Sequence, residues 1–291
     1  MSEQIIALLE NPEPERWATG FEFTEGPLWH PEGYFTFADI RTSRLYKLAS
    51  GGSPEIIREN TGNGNGNTFD LQGNLLLCEG GNRQVTRMTP DGQVAPIATH
   101  HEGKRLNRPN DIICRSDGMI YFTDLGTSVP LSEREIPHFG VYRIALDGTV
   151  SLFAGCEAPN GLAFSPDEQT LYVSNTKFTQ YIHDFEVAAD GTMGRRRFFA
   201  DMSSDEKDGV PDGMKVDAAG RIFCTGAGGL WVFEANGTSL GMLRLPEIPA
   251  NVAFGGPDLK TLFVTARTSV YALRVKTPGL PHPRFAPARP G

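Results

Sequence analysis

Cysteine is scarce and scattered. The 291-residue chain has four, Cys78, Cys114, Cys156 and Cys224, and no two form a CxxC pair. That argues against a disulfide framework and against zinc-ribbon spacing; reduced, mostly buried thiols are expected. Basic charge is also in short supply, with 27 Lys plus Arg against 35 Asp plus Glu and a net charge of −8. The one basic run, Arg195-Arg196-Arg197, stands beside Phe198 and Phe199 and reads as the solvated edge of a strand, so no nucleic-acid partner is expected. No stretch approaches the ~20 apolar residues of a membrane span. The N-terminal MSEQIIALLENPEPERW has only a short apolar run with acidic flanks, unlike a signal peptide. No membrane partner and a cytoplasmic location are therefore expected. Amphipathic helices of ten or more residues are missing after residue 10, which disfavours an α/β enzyme. So are a G-x-S-x-G elbow, a P-loop and a dinucleotide fingerprint, which disfavours a serine hydrolase and nucleotide chemistry.

Glycine and proline, by contrast, are frequent at 33 and 21 and spread along the chain, the mark of many turns. Short apolar runs recur after them: GYFTFAD at 33–39, GNLLLCE at 73–79, GMIYFTD at 118–124 and GRIFCTG at 220–226, with longer-turn copies SPDEQTLYVSN at 165–175 and GPDLKTLFVTA at 256–266. A shorter strand precedes each and one or two follow. Three or four short strands at a period of ~40–50 residues are a propeller blade. The expected fold is all-β: one six-bladed β-propeller domain over 1–291 with four-stranded blades beginning near 25, 65, 110, 160, 212 and 251. The sixth unit stops after three strands near Val275 and runs into a Pro-rich tail, TPGLPHPRFAPARPG. An orphan strand, RWATGFEF at 16–23, can supply its missing outer strand and close the ring.

Eight residues before Gly33, Gly73, Gly118 and Gly220 stand Glu25, Asn65, Asn110 and Asp212; the matching positions in units four and six are Asn160 and Asn251. All six are Asp, Glu or Asn, although these types make up only about one residue in six of the chain. The first strand of every blade lines the central channel, so equivalent positions form a ring around its axis. Two carboxylates facing each other there repel; a divalent cation relieves the repulsion and takes the amide oxygens as neutral ligands. Hard oxygen donors favour Ca²⁺, with Mg²⁺, Mn²⁺ or Zn²⁺ as alternatives; zinc is the poorer match because neither His nor Cys stands in the ring. The plainer reading is that these residues cap strands and make turns, as Asn160-Gly161 and Asp212-Gly213 could.

At these residues the sequence resembles the gluconolactonase/regucalcin (SMP-30-like) family, through TEGPLW at 24–29, GNGNTFD at 64–70, GKRLNRPNDI at 103–112, SDGMIYFTD at 116–124, APNGLAFSPD at 158–167 and VPDGMKVDAAGRIF at 210–223. The resemblance implies a divalent-metal-dependent lactonase. It implies Glu25, Asn160 and Asp212 as metal ligands, Asn110 at metal and substrate, Arg108 as a substrate-binding residue and Asp212 as general base. Gly80 or Gly81 stands where relatives often carry His, and LGTS at 125–128 replaces a proline-containing stretch. The substrate implied is a small sugar lactone such as gluconolactone, opened to the aldonic acid by a monomer or homodimer. Two loops, 98–107 with His100-His101 and 126–139, are placed to roof the mouth. The competing functions are a phosphotriesterase or lactonase for apolar substrates on the same ring, and a non-catalytic binding propeller with structural calcium.

Overall fold

A computed structural model of the chain describes residues 2–206 and 208–286. It is a six-bladed β-propeller of four-stranded antiparallel blades. The inner strands are Thr24–His30, Gly64–Phe69, Pro109–Cys114, Pro159–Phe164, Met214–Val216 and Asn251–Gly255. Each blade runs outward in chain order, so every inner strand begins at one end of the channel, here called the mouth, and finishes at the other, the base. Blade six takes its outer strand from the N-terminus: Leu9–Thr19 pairs with Ser269–Val275, Arg16 opposite Tyr271 and Thr19 opposite Ser269. The closing strand thus starts earlier than the 16–23 segment, and residues 20–23 lie beyond it.

The core lies between blades. Alternating apolar residues of neighbouring sheets interdigitate, as where Phe35, Phe37, Tyr46 and Leu48 of blade one meet Phe263, Val270 and Ala272 of blade six, the packing that a period-2 pattern on both sheet faces demands. Among the described residues one short α-helix occurs, Glu3–Leu8, with Ile5 N–H donating to the Ser2 Oγ cap. Its Ile5 packs with Leu240 and Leu243 of blade five. Cys78, Cys114 and Cys224 are buried, Cys156 is half-buried and all four are free thiols. Arg195–Arg197 lie exposed on an outer strand, Met193–Asp201, where Arg197 pairs with Asp184 at 2.7 Å.

The base is closed by the tail. Ala218 N–H donates to Pro278 O at 2.8 Å and Gly279 N–H to Leu259 O at 2.9 Å. Leu280 packs on the cluster of blades four and five, and Phe285 on that of blades one and two. His282 Nε2 lies 3.0 Å from Thr68 Oγ1 and Phe285 meets His30 edge-on. The last five tail residues lie outside the described residues.

Candidate active site

All six aligned residues converge at the mouth, and hydrogen bonds join them in two arcs. Asn65 Nδ2 donates to Asn110 Oδ1 at 2.8 Å. Asn110 Nδ2 donates to Asn160 Oδ1, and Asn160 bonds Asp212 in turn. On the other side Asn251 Nδ2 donates to Glu25 Oε2 at 2.9 Å.

A local irregularity aims these side chains. In blades one to four, three residues of the inner strand span two of its partner at the ring position: Glu25–Leu28, Gly64–Asn67, Pro109–Ile112 and Pro159–Leu162. Such a bulge turns a side chain out of the sheet's alternation and toward the axis. Blade six holds regular register, Asn251 opposite Thr265. The residue after the ring position is glycine in four blades. At Gly26, with φ +55°, a β-carbon would strike the Asn65 carbonyl, and at Gly213 it would strike the Asn251 side chain. Asn160-Gly161 and Asp212-Gly213 are therefore not simple turns; their glycines let neighbouring inner strands touch.

A second row of hydroxyls, missed in the sequence, locks the inner strands. Thr123 Oγ1 donates to Asn160 O at 2.8 Å, Ser174 Oγ to Asp212 O at 2.8 Å and Thr225 Oγ1 to Ala250 O at 2.8 Å. Each sits in the second strand of one blade and holds the backbone of the next. Their sequence signal is the repeated hydroxyl of YFTD, YVSN and FCTG.

A third carboxylate was also missed. Asp111 is buried in the channel, taking the place that glycine fills in four other blades, and its Oδ2 lies 3.4 Å from Asn251 Nδ2. Burial, with Asp111 nearby, raises Glu25 to about 7. Burial also lifts Asp111, and burial with the charges of Glu25 and Asp111 lifts Asp212 well above the carboxylate range. The cause is common: acids held close together away from water cannot all be charged without a counter-ion. Lys215, on the inner strand of blade five, opposes this for Glu25 and Asp111.

The donor chemistry fits a hard divalent cation: Glu25 and Asp212 offer carboxylates, and Asn110 and Asn160 offer amide oxygens. No group of three or more His, Cys, Asp or Glu gathers as a metal cluster among the described residues; the ring mixes acids with amides instead.

Arg108 lies beside the ring. Its backbone N–H and that of Asn107 donate to the buried Asp124 carboxylate, at 2.5 and 2.8 Å, while its side chain crosses Gly80. No surface salt bridge engages it among the described residues. Residues 98–107 form a hairpin, His100–His101 against Lys104–Arg105, with His101 Nδ1 3.2 Å from Val150 O. Residues 126–139 fold into two short 3₁₀ turns, Gly126–Ser128 and Leu131–Glu133.

Fold and site together define a six-bladed propeller with a ring of acids and amides at one mouth of its channel. The chain belongs to the SMP-30/Gluconolactonase/LRE-like family, whose model matches residues 23–268. It is 30% identical to the gluconolactonase of Zymomonas mobilis, over 96% of this chain and 86% of that protein. It is also 30% identical to pentonolactonase XacC of Haloferax volcanii, over 85% of this chain and 82% of that protein. The solved gluconolactonase of Xanthomonas campestris superposes with a TM-score of 0.86 at 34% identity, covering 94% of this chain and 93% of that one. No helix among the described residues is long and apolar enough to cross a membrane.

Proposed function

We propose that the protein is a lactonase that opens sugar lactones such as gluconolactone to the aldonic acid at the channel mouth, with one divalent cation, Ca²⁺ by preference, held by Glu25, Asn160, Asp212 and Asn110. One observation carries the reading: two carboxylates of raised proton affinity, Glu25 and Asp212, share a ring with amides at matched positions of all six blades. The cation, when bound, supplies charge stabilisation for the oxygen that becomes negative as water adds to the lactone carbonyl.

The chain's own residues do the rest. Asp212 faces the mouth and accepts the proton of the attacking water as the new C–O bond forms. When the ring C–O bond breaks, Asp212 returns that proton to the departing ring oxygen, giving a hydroxy acid. Burial and the neighbouring Glu25 raise its basicity; a cation lowers it, so the two influences together set the working pH. Asn110 and Arg108 orient the substrate's hydroxyls. Ser174, through its bond to the Asp212 carbonyl, fixes the strand that carries the base. The polar side chains at the mouth favour a hydroxylated substrate over the apolar esters of the phosphotriesterase alternative. The four free thiols suit a reducing, cytoplasmic setting.

The test is acid release from glucono-δ-lactone by protein stripped with EDTA and then resupplied with Ca²⁺, Mg²⁺, Mn²⁺ or Zn²⁺. Loss on stripping and best recovery with Ca²⁺ are expected. Full activity after verified stripping removes the metal from the proposal; no acid from any sugar lactone removes the lactonase, leaving a binding propeller.

A further inference from the structure

One wall of the mouth is built from arginines whose side chains pair with no carboxylate among the described residues. The turn at 80–83 in blade two and the segment 105–108 before blade three are stitched together in both directions. Arg83 Nε donates to Leu106 O at 2.7 Å, and Arg105 Nη2 to Asn82 O at 3.1 Å. Arg83 Nη1 reaches Glu133 O at 3.0 Å, but its Nη2 is buried without a partner among the described residues. Beside this stitch, Arg108 lays its stem across Gly80. A β-carbon at Gly80 would stand 2.9 Å from Arg108 Cγ and 3.0 Å from its Nε, so glycine there keeps the lane in which the arginine lies. The Arg108 guanidinium is half-buried and makes no hydrogen bond or ion pair among the described residues.

The nearby acids are already occupied. Glu79 is bound by Arg58, Thr86, Asn82 and Gln84. Asp124 accepts from the backbone of Asn107 and Arg108, and Glu135 from the backbone of Arg105. A half-buried guanidinium with five donors and no acceptor from the described residues is open to a ligand's oxygens. The planar fork best matches a carboxylate, phosphate or sulfonate.

We propose that Arg108, held in its lane by Gly80 and flanked by the Arg83–Arg105 stitch, is a specificity-determining residue that selects sugar lactones bearing a second, acidic group over neutral ones. The inference rests on the lactonase reading and narrows its substrate class. The lactone ring sits at the acid-and-amide ring, and the acidic substituent reaches toward blades two and three.

The test compares kcat and KM for glucono-δ-lactone, 6-phosphogluconolactone and glucaro-1,4-lactone. Wild-type protein is expected to show kcat/KM at least about tenfold higher for the acidic lactones. Arg108→Met should cut that value by roughly 10–100-fold, mainly through KM, and lower the neutral lactone's by a smaller factor through its lost hydroxyl contacts, so that the acidic-over-neutral ratio falls by about tenfold. Arg108→Lys should restore part of the preference. Gly80→Ala, which displaces the arginine without removing it, should shift the ratio in the same direction as Arg108→Met. A melting temperature within about 2 °C of wild type shows that each variant is folded. Equal kcat/KM for neutral and acidic lactones in wild type, or an equal loss for both in Arg108→Met, overturns the proposal while leaving the lactonase intact. No turnover of any lactone overturns both.

Discussion

At its mouth the channel gathers Glu25, Asp111, Asp212 and four asparagines, while at its base the same inner strands end against Pro278, Leu280, His282 and Phe285 of the tail. The two ends use opposite chemistry on one scaffold. Charge crowds the mouth at a cost to stability, because three carboxylates sit where water is thin. The base buries apolar and aromatic surface around two imidazoles, His30 and His282, which is stabilising. Residues chosen for chemistry and residues chosen for cohesion are thus separated along the axis, and they can be perturbed separately.

The strongest way to sharpen this contrast is Asp212→Ala. Turnover should fall by on the order of 10³-fold, while metal-free protein should melt no lower than wild type, since a crowded acid has been removed. Steady-state kinetics beside calorimetry in EDTA checks both; a large loss of stability would place Asp212 with the cohesive residues. Ending the chain after Lys276 should do the reverse. Losing Leu280 and Phe285 costs about 2–4 kcal/mol of apolar burial and roughly 3–7 °C in melting temperature, with kcat/KM at 25 °C held within about threefold.

Smaller effects come from pH, and the two ends oppose each other. Glu25 is raised from 4.5 to about 7, so its contribution is full below about 4.5 and is lost as pH rises through 7. Metal-free protein should therefore lose several degrees of melting temperature from this end between pH 5 and 8, and added Ca²⁺ should recover them. A melting temperature in EDTA that does not fall over that range would contradict the crowding. At the base, burial lowers His282 from 6.5 to about 4, so its contribution is full above about 6.5 and is lost as pH falls through 4. His282→Gln should flatten the acid limb of the stability profile by a degree or two and leave the limb above pH 7 alone; thermal scans from pH 4 to 8 resolve the two.

The mouth was easier to read from sequence than the base. Blade repeats carry the period of the fold; the step of eight residues back from the turn finds four ring positions, and the longer-turn pattern shared by units four and six finds Asn160 and Asn251, because a channel imposes the same demand on every inner strand. Asp111 escaped because it occupies the one place in that pattern where the repeat breaks from glycine to acid. The hydroxyls Thr123, Ser174 and Thr225 escaped for the contrary reason: alternating polar positions in strands are common, and only the three-dimensional neighbour gives them a task. The tail escaped altogether. TPGLPHPRF has neither strand nor helix periodicity, and its meaning lies in surfaces from blades one, two, four, five and six that no local pattern brings together. The closing strand was placed correctly in the ring but begins at Leu9, because prolines at 12 and 14 hide an edge strand that tolerates them.

Ring closure joins the first strand made, Leu9–Thr19, to the last among the described residues, Ser269–Val275. On the ribosome that early segment has no partner until blade six has emerged. Glu25 follows it by a few residues, and the Asn251 that bonds it lies in the final blade. A stalled or prematurely terminated product therefore carries an open, unfinished set of oxygen donors. Competence arrives all at once, when Leu9–Thr19 meets Ser269–Val275.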